Sequence, residues 1–146
     1  MPTFYSQNDP RWKDIVIRKG LTIGTSPGNK PAGCLLDILA YIFSSISGLD
    51  ITPDMVLAYA KSQSLLDLHG NLNWEIVKKI TNGTFKYVSS DDGHVKFIIA
   101  EVKFGKQHFV AFKRSDKTIR DPWDGKQKDA NSYFAKYPII SWRYLK

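Results

Sequence analysis

A cysteine, a histidine, an aspartate and a glutamine stand where the chain could assemble a nucleophilic site. Cys34 is the single cysteine of the sequence, and it opens an apolar run directly after the turn-rich residues 24–33 (GTSPGNKPAG). At a helix start, free backbone N–H groups and the positive end of the dipole favour negative charge, here a thiolate. Gly33, just before it, would leave room for a substrate backbone. A free cysteine is equally at home as a small buried apolar residue, and position alone does not separate the two.

A thiolate nucleophile needs a base, and the chain has 3 histidines: His69, His94 and His108. His108 alternates with Val110 and Phe112, a strand pattern that sets the imidazole at the rim of an apolar row; a purely structural histidine would fit the same place. With a turn at residues 114–116, the returning strand brings Asp121 opposite or diagonal to His108. Its carboxylate would then accept from Nδ1–H and fix the tautomer, unless Asp121 only starts the turn at Pro122 or pairs with Arg120. The Cys34 backbone N–H would supply one oxyanion donor. Gln7, in an aromatic-flanked N-terminal segment, would supply a side-chain amide, although a lone glutamine is more commonly a surface residue. Trp123 would either pack over the imidazole or line a substrate subsite. Together such groups perform acyl transfer through an acyl-enzyme.

Periodicity defines the elements that must hold these residues. Apolar residues recur at three- and four-residue intervals from Leu35 to Ile46 and stop at Gly48, predicting a buried helix that begins at Cys34. Thr52 and Pro53 start a second helix carrying Val56, Leu57, Tyr59 and Ala60 and ending near residues 62–64. Asn73 caps a third with Trp74, Ile76, Val77 and Ile80, stopped by Asn82 and Gly83. Alternation then takes over through Phe85 and Tyr87, then Val95, Phe97 and Ile99, then the His108 run, with short strands at residues 118–121 and 139–145. Helices first and strands afterwards predict one α+β domain over residues 1–146, its N-terminal helices packed on a C-terminal antiparallel β-sheet.

The 146 residues, 42% hydrophobic and 24% charged, suit one globular domain and exclude a disordered chain. No apolar run reaches the ~20 residues of a membrane span, and residues 1–9 lack the basic and apolar regions of a secretory signal. A cytoplasmic protein as encoded is expected, with release or virion association requiring a signal-independent route. One cysteine makes neither an intrachain disulfide nor a thiolate zinc site, and the sequence has no nucleotide-binding fingerprint, so no metal and no cofactor are expected. The formal charge of +7 favours an anionic partner. Because the aromatic residues follow core periodicity and do not interleave with Lys and Arg, that partner is not expected to be nucleic acid. Asp67 and His69 would join a site only if the loop between the second and third helices folded over the cleft.

The segments SQNDPRW (6–12), GCLL (33–36), ITP (51–53), QHFV (107–110) and RDPWDG (120–125) resemble, in that order and over almost the whole chain, the C39-like branch of the papain-like cysteine peptidases. The resemblance implies a papain-like fold with Gln7 as oxyanion-hole donor, Cys34 as nucleophile, His108 as general base and then acid, and Asp121 as its orienter. It also implies cofactor-free hydrolysis of a peptide bond in a peptide or protein substrate. Related domains occur in bacterial surface and secreted proteins and in phage lysis or tail-associated proteins, which makes cell-wall peptides one target. A monomer is expected. Asp37, one turn after Cys34, departs from the family's pattern, because an ionised carboxylate there would oppose a thiolate. The competing expectation is a non-catalytic papain-like module whose basic surface holds an anionic polymer or a protein partner.

Overall fold

The computed structural model describes residues 3–105 and 107–146, which form a mixed α+β arrangement of 4 helices and two sheets. A small sheet comes first, from β1 (Val16–Arg18), β2 (Leu21–Thr22) and β3 (Lys30–Pro31), with β1–β2 antiparallel and β2–β3 parallel. Strand β3 corrects the reading of residues 24–33 as turn and loop alone, and β1 and β2 were not expected. Strands of two or three residues are too short to display a period in sequence.

Helix α1 (Cys34–Ser47) follows the predicted apolar run and closes at Gly48, whose left-handed φ of 74° lets its N–H reach the Ser44 carbonyl. Helix α2 (Pro53–Ser62) starts on proline after the extended Thr52. The Thr52 hydroxyl bonds to the Asp54 carboxylate at 2.5 Å and caps no backbone N–H. Helix α3 (Glu75–Ile80) is preceded by Asn73, whose Oδ1 accepts from the Glu75 N–H at 2.9 Å.

The rest of the chain adds β4 (Tyr87–Val88), β5 (Phe97–Lys103), β6 (Gln107–Lys113), β7 (Thr118–Asp121), β8 (Lys126–Asp129), α4 (Ala130–Lys136) and β9 (Ile139–Leu145). The six strands form one antiparallel sheet in the order β4-β9-β5-β6-β7-β8. Helix α4 and strand β8 were not expected. The helix breaks the simple succession of helices and then strands, and its N-cap is Asp129, which accepts from the Ser132 N–H at 2.9 Å.

Two apolar clusters lie on opposite faces of the sheet. Phe109 and Ile99 pack with Ile38, Leu39, Ile42 and Val56 of the helices. Val110, Val102 and Ile119 pack with Tyr133 of α4 on the other face. Each fully buried aliphatic or aromatic side chain contributes about 1.5–3 kcal/mol, so β6, wetted on neither face along its centre, is a rigid platform for the residue near its start, His108. Among the described residues no helix is long and apolar enough to cross a membrane.

Candidate active site

The β6–β7 turn occupies residues 114–117, and the register pairs Ala111 with Arg120 and Phe112 with Ile119. Continuing that ladder sets Asp121 opposite Val110 and diagonal to His108 on the same sheet face. Both side chains are buried, and His108 Nε2 bonds to Asp121 Oδ1 at 2.8 Å. The ring nitrogen is Nε2, which corrects the expected Nδ1 bond. The imidazole reaches its carboxylate with its far edge and keeps Nδ1 for the other side.

Cys34, a buried free thiol at the first position of α1, acts on the same imidazole both as a hydrogen-bond partner and as a charge. With Nε2 committed to Asp121, Nδ1 is the ring nitrogen left for the sulfur. Burial depresses the imidazole's basicity, but the Asp121 bond and then Cys34 outweigh it and lift His108 to about 9. Burial likewise works against the Asp121 carboxylate, and hydrogen bonds from His108 and Lys128 outweigh it, lowering Asp121 to about 2. The pair is therefore an imidazolium beside a carboxylate at neutral pH.

Asp37 is also buried, and neither carboxyl oxygen has a hydrogen-bond partner. Burial first, then the proximity of Cys34, Asp121 and Asp9, push it well above the usual carboxylate range. Its proton is held more tightly than that of an ordinary carboxyl, which weakens the charge expected to oppose a thiolate at Cys34.

Gln7 is anchored at both ends. Its backbone N–H donates to the Pro122 carbonyl at 2.7 Å, and its Nε2 donates to the Ile23 carbonyl at 3.0 Å. The same Ile23 carbonyl accepts the Gly33 N–H at 2.9 Å, so the Gln7 amide and the entry to α1 share one acceptor. An amide nitrogen carries two N–H groups, and the second is not used in this bond. The segment is fastened further by Ser6 Oγ and Asn8 Nδ2, each donating to the Trp123 carbonyl at 2.8 Å. Gly125 lies beneath it, with a φ of 73° and room for a Cβ only 3.0 Å from the Ser6 nitrogen. The Cys34 N–H, first in its helix, has no intrahelical acceptor.

The substrate-facing role expected of Gly33 does not hold, and of the two roles expected of Trp123 the packing over the imidazole is lost. Gly33 opens onto Ile23: a Cβ there would come within 2.5 Å of the Ile23 carbonyl oxygen and 2.6 Å of Cγ2. Its missing side chain makes room for the protein's own Ile23, not for a substrate. Trp123 does not cover the imidazole. Phe104 does, with ring centroids 4.7 Å apart, while Trp123 donates its backbone N–H to Asp121 Oδ1 at 3.0 Å and borders a cavity of about 460 Å³ on the far side of that carboxylate.

Sequence reasoning missed Phe104 and Lys128. Lys128 Nζ bonds to Asp121 Oδ2 at 2.9 Å and bridges to Asp124 at 2.9 Å. Its strand reads KQKD, with no apolar alternation to mark which face it presents. Residues 66–72 do fold toward Cys34, tied to β1 by Arg18, which donates to the Leu66 and Asp67 carbonyls at 3.0 Å. A cavity of about 250 Å³ beside Cys34 is bordered by Leu21, Leu66, Leu72 and Phe109, with His69 and Lys30 also on its wall. Asp67 is spent on its own loop, accepting from the His69 and Asn71 N–H groups. No cluster of three or more His, Cys, Asp or Glu among the described residues could hold a metal ion.

A scan against protein-family models and a search of curated proteins match nothing to this chain.

Proposed function

We propose that this chain is a papain-like cysteine peptidase that hydrolyses a peptide bond through Cys34, His108, Asp121 and Gln7. The observation that carries the reading is the buried His108 ring, bonded to Asp121 through Nε2 at 2.8 Å while Cys34 acts on the same imidazole. The sequence segments that resemble the C39-like family supply the residue types in these same positions.

In the proposed cycle the Cys34 sulfur attacks the scissile carbonyl carbon as a thiolate, its proton already held at Nδ1 of the His108 imidazolium. The tetrahedral oxyanion is met by the Cys34 N–H and by the second N–H of Gln7 Nε2. The imidazolium returns its proton to the amide nitrogen, the C–N bond breaks, the amine leaves and a thioester remains. Water then loses a proton to the imidazole and attacks the thioester, the C–S bond breaks, and the carboxylic acid leaves with the thiolate and the imidazolium restored. Asp121 keeps the ring in the orientation that serves both transfers. The apolar cavity beside Cys34 suits an apolar side chain next to the scissile bond.

Peptides of a bacterial cell wall are the first substrates to test, as in a phage or bacterial lysis endopeptidase. Mass spectrometry of peptide libraries and cell-wall preparations, digested by wild type and by Cys34→Ala, tests the reading. New termini that depend on Cys34, together with alkylation by iodoacetamide at pH 6 far faster than free cysteine, are expected. Alkylation no faster than free cysteine and identical digests would overturn it in favour of a non-catalytic binding module.

A further inference from the structure

A second cavity, of about 450 Å³, lies between α1 and the hairpin end of β5, β6 and β7, and its walls carry Lys96, Lys113, Arg114 and Arg120 with no Asp or Glu. Tyr41, which borders it, is seven residues along α1 from Cys34, about 10 Å of helix. The thiol is not part of this cavity.

The cations divide into two kinds. Lys113 pairs with Asp116, and Arg114 with Asp91, both acids standing outside the cavity wall. Lys96 and Arg120 make no ion pair and no side-chain hydrogen bond among the described residues. Arg120 is half-buried, in the middle of a sheet face, with Ala111 and Gln127 as its cross-strand neighbours. A guanidinium partly removed from water without a carboxylate is costly unless an anion completes it. Its planar fork matches an oxyanion with two oxygens in reach. Several cations around one concavity favour a multiply charged group over a single carboxylate. Tyr41 and Gln127 add a hydroxyl and an amide donor to the same wall.

We propose that this cavity binds a phosphoryl group of an anionic ligand, gripped by Arg120 and neutralised by Lys96, with Lys113 and Arg114 at the rim. The assignment stands apart from the peptidase reading, because it uses none of the residues around Cys34.

Calorimetric titration of the full chain in 50 mM salt tests it, with inorganic phosphate in one arm and linear polyphosphate in the other. One-site saturable binding is expected, weakened about tenfold or more in Arg120→Gln and in Lys96→Gln, and weakened again as salt is raised. Lys96 is exposed, so its variant keeps the test open if Arg120→Gln fails to fold. Lys78→Gln with Lys79→Gln, two exposed positions on α3, removes charge elsewhere and should leave binding unchanged. Binding of inorganic phosphate supports a site for one isolated phosphoryl group; binding of polyphosphate alone supports a site for a phosphate-bearing chain. No saturable binding of either probe, or equal weakening in the α3 control, would overturn the proposal.

Discussion

Asp37 sits one helical turn beyond Cys34 on α1, with both carboxyl oxygens buried and without a hydrogen-bond partner. The groups that act on it come from three other places: Cys34 on its own helix, Asp121 on β7 and Asp9 in the N-terminal segment. All of them, like burial itself, favour its neutral form.

A stability signature follows. The unfolded chain releases the Asp37 proton near pH 4 and the folded chain releases it only at higher pH, so stability falls as pH rises above 4, by up to about 1.4 kcal/mol per unit, until the folded chain ionises too. Asp37→Asn should remove that slope. Urea unfolding at several pH values in this window checks it, and parallel pH dependences for variant and wild type would refute a tightly held Asp37 proton.

His108, raised to about 9 by Asp121 and Cys34 against the pull of burial, sets the alkaline limit. Its contribution to stability is complete below pH 6.5 and is lost as pH rises through about 9. Asp121 behaves oppositely: its contribution is complete above pH 4 and is lost as pH falls toward 2. Cleavage of a peptide substrate should decline with a midpoint near pH 9, where the imidazolium that protonates the leaving amine disappears. A pH profile of kcat/KM measures this, and a limb at 7 or below would contradict it.

Lys128 shares the Asp121 carboxylate with His108, one oxygen each. Removing the ammonium in Lys128→Met leaves the carboxylate charge to the imidazolium alone, so the alkaline limb should move above the wild-type value, and Lys128→Arg should restore it. The lysine side chain is 34% exposed, so the stability change should stay at about 1 kcal/mol or less. An unmoved limb would show that Lys128 is only a surface partner.

Gly33→Ala tests the contact with Ile23. A methyl group placed 2.5 Å from the Ile23 carbonyl should cost about 1–3 kcal/mol by overpacking and slow alkylation of Cys34 by tilting the start of α1. Thermal unfolding and iodoacetamide kinetics check both. An unchanged melting temperature with a raised KM would instead restore the substrate-facing role that the spacing before Cys34 suggests.

Helix α1 was legible because its apolar residues fill nearly the whole circumference, and the approach of Asp121 to His108 followed from counting a hairpin. The choice of Nε2 over Nδ1 was not legible, since it depends on how the ring turns within a packed cluster that includes Phe104. The tight hold of Asp37 on its proton was hidden for a related reason: a lone Asp in a helix reads as a charge until its surroundings are known. The small sheet of β1 to β3 and the polar strand β8 have too few apolar residues to announce a face. Lys128 was overlooked with the strand that carries it.

Gln7 hangs from Pro122 by its backbone and from Ile23 by its amide. One residue thus rivets the strip beside the imidazole's carboxylate to Ile23, the residue that also anchors Gly33 at the entry to the nucleophile's helix. The entry to α1 and the turn after Asp121 are thereby clamped by a single side chain and its own backbone.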